Sequence, residues 1–298
     1  MAFLKSSAMT NTPELPDGFS IGPMRAAEVL LLDDMAAAEG WNPGLADIGI
    51  AWDIDPDAFI ALRRGDELVG GGTIFSYEGR FGFMGLFIVR PEFRGAGLGT
   101  VLWHHRLDRL RQRLNPGASI GMDGVFAMVP FYERGGFKLA WRDLRFEGFA
   151  QGAHDPAALT LAQIDFDELD RYDQRHVPTP RTRFLERWVN QPGAGVAALR
   201  EGGALAGYGV VRPCRVGHKI GPVFADRPDL AETLVRSLMA TVEGQRVQLD
   251  VPQANAAAVD MSQRLGLVEA FGCARLFHGP QPQLPVDAIF GVTSFEFG

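Results

Sequence analysis

The sequence predicts an α/β protein of the α+β type, made of two copies of one unit. Each copy is expected to be a mostly antiparallel mixed sheet flanked by helices. Three observations carry this reading. Residues 61–72 (ALRRGDELVGGG) recur as residues 198–209 (ALREGGALAGYG). Ala61/Ala198, Leu62/Leu199, Arg63/Arg200, Gly65/Gly202, Leu68/Leu205, Gly70/Gly207 and Gly72/Gly209 are identical at an offset of 137. Further on, FYERGGF (131–137) is matched by MSQRLGL (261–267) at an offset of 130. One long repeat of this kind is a duplicated domain, not a solenoid. Finally, three apolar runs rich in β-formers precede a glycine loop and an amphipathic helix, as in an antiparallel meander that feeds a helix.

Length and composition agree. The chain has 298 residues, 46% of them hydrophobic. That is enough for a sizeable core, and the length favours two domains. The pattern breaks at QGAHDP, giving domains 18–148 and 155–298 after a flexible leader, 1–17. The net charge of −7 disfavours nucleic-acid binding, which calls for a basic patch. A basic cluster at Arg106–Arg113 alternates with Leu107, Leu110 and Leu114 at helical spacing and reads as a solvated helix face. Cys214 and Cys273 have no CxxC spacing and no neighbouring His, so neither a disulfide framework nor a metal site is expected. Their usage suits a reducing cytosol. The N-terminus lacks an apolar core of signal-peptide length. No apolar run approaches about 20 residues, so no membrane span is expected and the chain reads as cytoplasmic.

In chain order, Ile21–Arg25 reads as a short strand and Ala26–Glu39 as a helix stopped by Gly40. Phe59–Arg64, Leu68–Tyr77 and Phe81–Val89 form the meander, its first hairpin closed by a tight glycine turn. Arg90–Gly99 is a loop. Thr100–Leu114 is a helix with Trp103, Leu107, Leu110 and Leu114 on one face, stopped by Asn115-Pro116-Gly117. Ser119–Asp123 is a strand, Val129–Arg134 a short helix, and Phe137–Phe146 contains the strand that closes the copy. The second copy repeats the order, with Val247–Val251 and Asn255–Leu265 as its late strand and helix.

The segment that carries chemistry is Arg90-Pro91-Glu92-Phe93-Arg94-Gly95-Ala96-Gly97-Leu98-Gly99-Thr100. Glycines without Cβ let the backbone turn sharply and approach a ligand. The helix behind them presents unpaired N–H groups and a positive dipole end, which suits a pyrophosphate. Arg94 can add a charge-assisted contact. No GK[ST] follows, which excludes a P-loop. A dinucleotide loop is weighed too, since Asp123 ends a strand 24 residues after Gly99. Its third glycine would come one residue early, however, and an antiparallel meander does not build a parallel nucleotide fold. A glycine turn that binds nothing is the remaining alternative.

RGAGLG, preceded by Val89-Arg90-Pro91, resembles the R/Q-x-x-G-x-G/A signature of the GNAT (Gcn5-related N-acetyltransferase) superfamily. FYERGGF resembles that superfamily's later motif, a Tyr on a short helix followed by Gly-Phe. GYGVVRPCRVGHKIGPVFAD, NAAAVDMSQRLGL and FGVTSFEFG resemble the C-terminal domain of two-domain members. The resemblance implies tandem GNAT folds, each splayed at the acetyl-CoA site. It implies that the amides of Gly95, Ala96, Gly97, Leu98, Gly99 and Thr100, with Arg94, bind the pyrophosphate of acetyl-CoA. Phe87, Ile88 and Val89 would pair with the pantetheine arm. An unprotonated amine would attack the thioester directly, and Tyr132 would protonate the leaving thiolate. A phenol of pKa about 10 can donate to a thiolate of pKa about 8.5.

The general base is open at this level. Members often carry Glu on the fourth strand, but FGFMGLFIV has no carboxylate. Glu78 at the preceding hairpin and Asp123 on the next strand are the candidates, beside a water relay. Asp53, Asp55 and Asp57 form an acidic loop that weakly favours a cationic acceptor. Arg90-Pro91 pairs with Arg227-Pro228 at offset 137, and the offset later falls to 130, so the second copy lacks a net seven residues. DRPDLAETL has no glycine, and Ser262 stands opposite Tyr132. The second copy therefore reads as degenerate, walling off the acceptor or mediating association, with a homodimer among its outcomes. The expected activity is acetyl-CoA-dependent N-acetylation of a small-molecule or peptide amine, without metal, membrane or nucleic acid. A non-catalytic acyl-CoA-binding regulatory module and a NAD-binding oxidoreductase are the alternatives.

Overall fold

The first copy runs β1 (Phe19–Pro23), α1 (Ala26–Ala38), α2 (Asp47–Ile54), β2 (Phe59–Arg64), β3 (Glu67–Tyr77), β4 (Phe81–Val89), α3 (Leu98–Gln112), β5 (Ser119–Val125), α4 (Val129–Arg134) and β6 (Lys138–Phe149). The second runs α5 (Phe166–Asp173), α6 (Thr182–Val189), β7 (Gly195–Glu201), β8 (Ala204–Pro213), β9 (His218–Ala225), α7 (Pro228–Ala240), β10 (Arg246–Pro252), α8 (Ala256–Arg264), β11 (Val268–His278) and β12 (Ile289–Gly291). This computed structural model describes residues 14–298; most of the expected leader, residues 1–13, lies outside the described residues.

The repeat survives at the level of register. In β2–β3, Ala61 faces Gly71 and Leu62 faces Gly70, and the register then shifts. In β7–β8, Ala198 faces Tyr208 and Leu199 faces Gly207, with the shift at the same place. The helices α2, α5 and α6 were not anticipated. Each has eight residues, too short for a helical period to stand out from a short apolar run.

All strands join one twelve-stranded sheet in the order β1-β2-β3-β4-β5-β11-β6-β10-β9-β8-β7, with β12 on β9. Its centre departs from the expected order. β6 does not close the first copy. The second copy's β11 pairs with β5, and β6 pairs with β10. Two buried ion pairs sit at these junctions. Arg275 of β11 binds Asp123 of β5 through two bonds of 2.6 Å. Arg145 of β6 binds Asp250 of β10 at 2.7 and 2.8 Å. Breaking either would leave a buried charge unpaired, so the pairs hold the register.

Leu102, Trp103, Leu107 and Leu110 of α3 pack on one face of the sheet against Ile60, Ile74, Met84 and Met122. α7 covers the corresponding face of the second copy through Leu234, Val235 and Leu238. On the opposite face α1, α2, α5 and α6 share one core, from Leu32 and Ile48 to Phe184 and Trp188. The shared core and shared sheet make the copies one structural body.

Candidate active site

The main cavity begins where two strands part. β4 and β5 pair in parallel only from Phe81–Met84 to Ser119–Met122. Beyond Met84, β4 bulges between Gly85 and Ile88, and Leu86 takes a φ of 49°. A bulge bends a strand and interrupts its ladder. β3 still pairs with Ile88 and Val89 through Gly71 and Gly70, while the edge facing β5 is left open over Phe87, Ile88 and Val89.

The glycine loop stands at the mouth of this opening. Gly95 and Gly97 take φ values of 84° and 78°, and Gly97 caps α3. Side chains are disfavoured at such angles. Among the described residues, the backbone amides of 95–99 donate to no other group. Consecutive free amides at a helix N-terminus form an anion site. Arg94 is partly committed: its Nε donates to the Val89 carbonyl at 2.7 Å, and its guanidinium pairs with Glu39.

Behind the mouth lies a cavity of about 560 Å³. It is lined by Phe87, Ile88 and Val89, by Arg94, Gly95, Gly97, Gly99 and Thr100, and by Asp123 and Tyr132, so most of the expected site residues converge there. Ala96 and Leu98 belong to the same turn without facing the cavity. Tyr132 packs against Trp103 with ring centroids 5.0 Å apart. It lies flat on β5 because Gly124 has no Cβ, which would collide with the ring. Its hydroxyl donates to no group among the described residues. Burial pushes its pKa up to about 12, opposed by the nearby Arg106 guanidinium.

Arg106 corrects the reading of a solvated helix face. It is completely buried and lines the cavity. One terminal nitrogen donates to the Thr73 and Gly85 carbonyls, both at 2.6 Å, on the facing strands at one end of the bulge. Its Nε and second terminal nitrogen have no partner. Burial without a carboxylate lowers its pKa to about 9. Only the run of glycines on β3 could have betrayed it. A Cβ at Gly72 would lie 2.5 Å from the Arg106 Cζ.

The carboxylate candidates separate. Glu78 sits in the exposed β3–β4 turn, pairs with Arg80 at 2.7 Å and is not part of the cavity. Asp123 lines it, but both oxygens are held by Arg275. Asp143 lies beside that pair. Burial and the Asp123 charge raise Asp143 well above the ordinary carboxylate range, and burial raises Asp123 as well, against the pull of Arg275. The acidic loop is not an acceptor contact either. Asp55 binds Arg113 at 2.6 and 2.7 Å, and none of Asp53, Asp55 and Asp57 lines the cavity. The sequence reading missed four lining residues from the second copy, Phe271 and Cys273 of β11 and Phe295 and Glu296 of the C-terminal segment. They arrive through the strand exchange, which leaves no local signal.

The second copy lacks these features. Only Asp226 and Arg227 separate β9 from α7, where the first copy has the loop 90–97. β12 lies against Val223 and Phe224 of β9, on the strand equivalent to β4. Among the described residues no group of three His, Cys, Asp or Glu could hold a metal, and no helix is long and apolar enough to cross a membrane.

Comparison with known proteins finds related units in both halves. Residues 26–137 match the acetyltransferase (GNAT) family and residues 169–291 an acetyltransferase (GNAT) domain. A holothin acyltransferase from Pseudoalteromonas sp. (strain SANK 73390) is 24% identical over 279 residues, covering 93% of each chain. A Pyrococcus horikoshii protein described as an acetyltransferase superposes with a TM-score of 0.81 at 20% identity, over 96% of this chain and 98% of that one. A tandem GNAT protein from the clavulanic acid biosynthesis pathway gives 0.62 at 16% identity, over 88% and 99%. With a GNAT unit in each half, the chain belongs to the GNAT superfamily in its two-domain form and is an N-acetyltransferase.

Proposed function

We propose that the chain transfers an acetyl group from acetyl-CoA to the primary amine of a small molecule, with Tyr132 as general acid. The observation that supports this best is the row of free amides at 95–99, opening onto a cavity lined by Tyr132. These amides and the positive end of α3 fit a pyrophosphate. The open edge at Phe87, Ile88 and Val89 can pair with an amide-bearing arm as a further strand would. When bound, the coenzyme supplies an activated acyl thioester. Tyr132 stays protonated at neutral pH and can give its proton to the departing sulfur. Arg106 stabilises the phenolate that remains. Met84, Met122 and the aromatic rings of Phe87, Phe131 and Phe271 keep the cavity mostly apolar, which excludes water and favours an acceptor with a flat apolar body.

Gly99 offers a direct test. Its φ is ordinary, and a Cβ there would sit 3.7 Å from Phe87 and 3.9 Å from Val89. Gly99→Val should therefore fold normally while placing a branched side chain in the cavity lining. Calorimetry should show acetyl-CoA binding weakened about tenfold or more, at least about 1.4 kcal/mol. Unchanged affinity in the folded variant would refute the coenzyme assignment.

A further inference from the structure

Among the described residues, the first copy offers the cavity no free carboxylate. Glu39 is held by Arg94 and Asp123 by Arg275. A third carboxylate comes from the opposite end of the chain. Beyond β12, the segment from Val292 to Glu296 runs from one bulged strand to the other. The Val292 carbonyl occupies the place of a Cβ at Gly221 of β9, and the Glu296 carbonyl that of a Cβ at Gly85 of β4. Glycine at 85 is thus what allows the segment to seat against the bulge. Glu296 is 5% exposed and lines the cavity with Phe295. Its Oε2 accepts a bond of 2.6 Å from the Ser294 hydroxyl. Its Oε1 has only the Lys219 ammonium, 4.0 Å away and out of hydrogen-bond range. Arg145 and Arg212, the other nearby cations, are spent on Asp250 and Asp47. Asp123 and Cys273 also face Glu296. Burial alone would raise its pKa, but Lys219, Ser294, Arg145 and Arg212 outweigh that and hold it below the ordinary range, so it is ionised at neutral pH. An ionised carboxylate with one unbonded oxygen, in a wall shared with Trp41, Phe271 and Phe295, is matched by an ammonium group on an apolar body.

We infer that Glu296 is the group that receives the acceptor: its free oxygen docks the ammonium and takes one proton from it. This rests on the acetyl-transfer reading above. The nitrogen lone pair so released attacks the thioester carbonyl carbon, a C–N bond forms, and the C–S bond breaks. Tyr132 gives its proton to the sulfur and recovers one from the nitrogen of the new amide. Glu296 passes its proton to solvent, so each turnover releases one proton.

Two probes with the same ring separate this role from a structural one. Benzylamine is protonated at neutral pH, whereas O-benzylhydroxylamine is not. Release of coenzyme A from acetyl-CoA is followed with each. Glu296→Gln should lower kcat/KM for benzylamine by about 10²–10⁴-fold, leave O-benzylhydroxylamine within a few-fold, and leave acetyl-CoA affinity unchanged. With Glu296 present, kcat/KM for benzylamine holds up below the amine's own pKa, because the ammonium is deprotonated after binding. In Glu296→Gln only free amine reacts, so the acidic limb moves up to that pKa. Glu296→Asp should restore part of the benzylamine rate. Should Glu296→Gln fail to fold for want of a partner for Lys219, the double variant Lys219→Met/Glu296→Gln removes both charges and carries the same comparison. Equal losses with the two nucleophiles would overturn the inference. A wild-type protein that binds acetyl-CoA but releases coenzyme A with neither would refute the reading of a small apolar amine as acceptor, and this role with it.

Discussion

At Tyr132 burial and a neighbouring cation act in opposite directions. Burial dominates and keeps the phenol protonated, while Arg106 limits the rise and can stabilise the phenolate once the proton has left. With no partner among the described residues, the hydroxyl can bond to whatever enters the cavity. Tyr132→Phe removes that proton but preserves the ring contacts with Trp103 and Phe131. The expected result is a kcat lowered by about 10²–10⁴-fold with acetyl-CoA Kd unchanged, the pattern of a group that acts only in the transition state. A kcat within a few-fold of wild type would make Tyr132 a packing residue. Tyr132 and the glycine loop were legible because both are local words, a fixed spacing of residue types. Arg106 and Glu296 were not. An arginine at helical spacing on an amphipathic helix is ordinarily solvated, and this one is buried because Gly72 on a distant strand makes room. Glu296 stands far from the loop in sequence and is delivered by the path of the chain.

The C-terminal segment is the element on which the acceptor side depends. Phe297 is 1% exposed and meets the Phe75 ring edge-on at 5.3 Å. Its carbonyl accepts a 2.6 Å bond from the Tyr77 hydroxyl. These contacts pin the segment one residue beyond Glu296. Phe297→Ala should cost about 3–5 kcal/mol, the usual loss for a large aromatic in a core, measured by denaturant unfolding. Because the anchor lies next to Glu296, turnover with benzylamine should fall more than turnover with O-benzylhydroxylamine in the protein that remains folded. Equal loss with both nucleophiles would show that the segment stiffens the core without positioning the carboxylate. The meander and α3 were visible in sequence because their periods are long enough to read. The route of this segment, set by glycines at 85 and 221, has no period at all.

The two copies are tied by a reciprocal exchange, yet only one keeps the glycine loop and the open strand edge. Arg145 and Arg275 are repeat equivalents at offset 130, and Asp123 and Asp250 are equivalents at offset 127. Each arginine crosses to the other copy's aspartate. The duplication was therefore plain in the sequence while the exchange was invisible, since either strand would find the same partner chemistry in its own copy. Symmetry of the sheet does not extend to the ligand sites. In the first copy β4 has an open edge and the loop 90–97 leads into α3. In the second, β12 lies along β9, the segment after it fills the space at Gly221, and Pro228 starts α7 almost directly after the strand. Arg227 near that helix end is already engaged by Asp229 and Glu201. The dipole of α7 remains, worth about 0.3–1 kcal/mol at an exposed terminus, and the negative charge of Asp229 works against an anion there. Titration calorimetry with acetyl-CoA should accordingly give one site per chain, and Gly99→Val should weaken that site by about tenfold or more. A second site that persists in Gly99→Val would mean that β12 leaves β9 to admit a ligand, and the second copy would then be a binding domain in its own right.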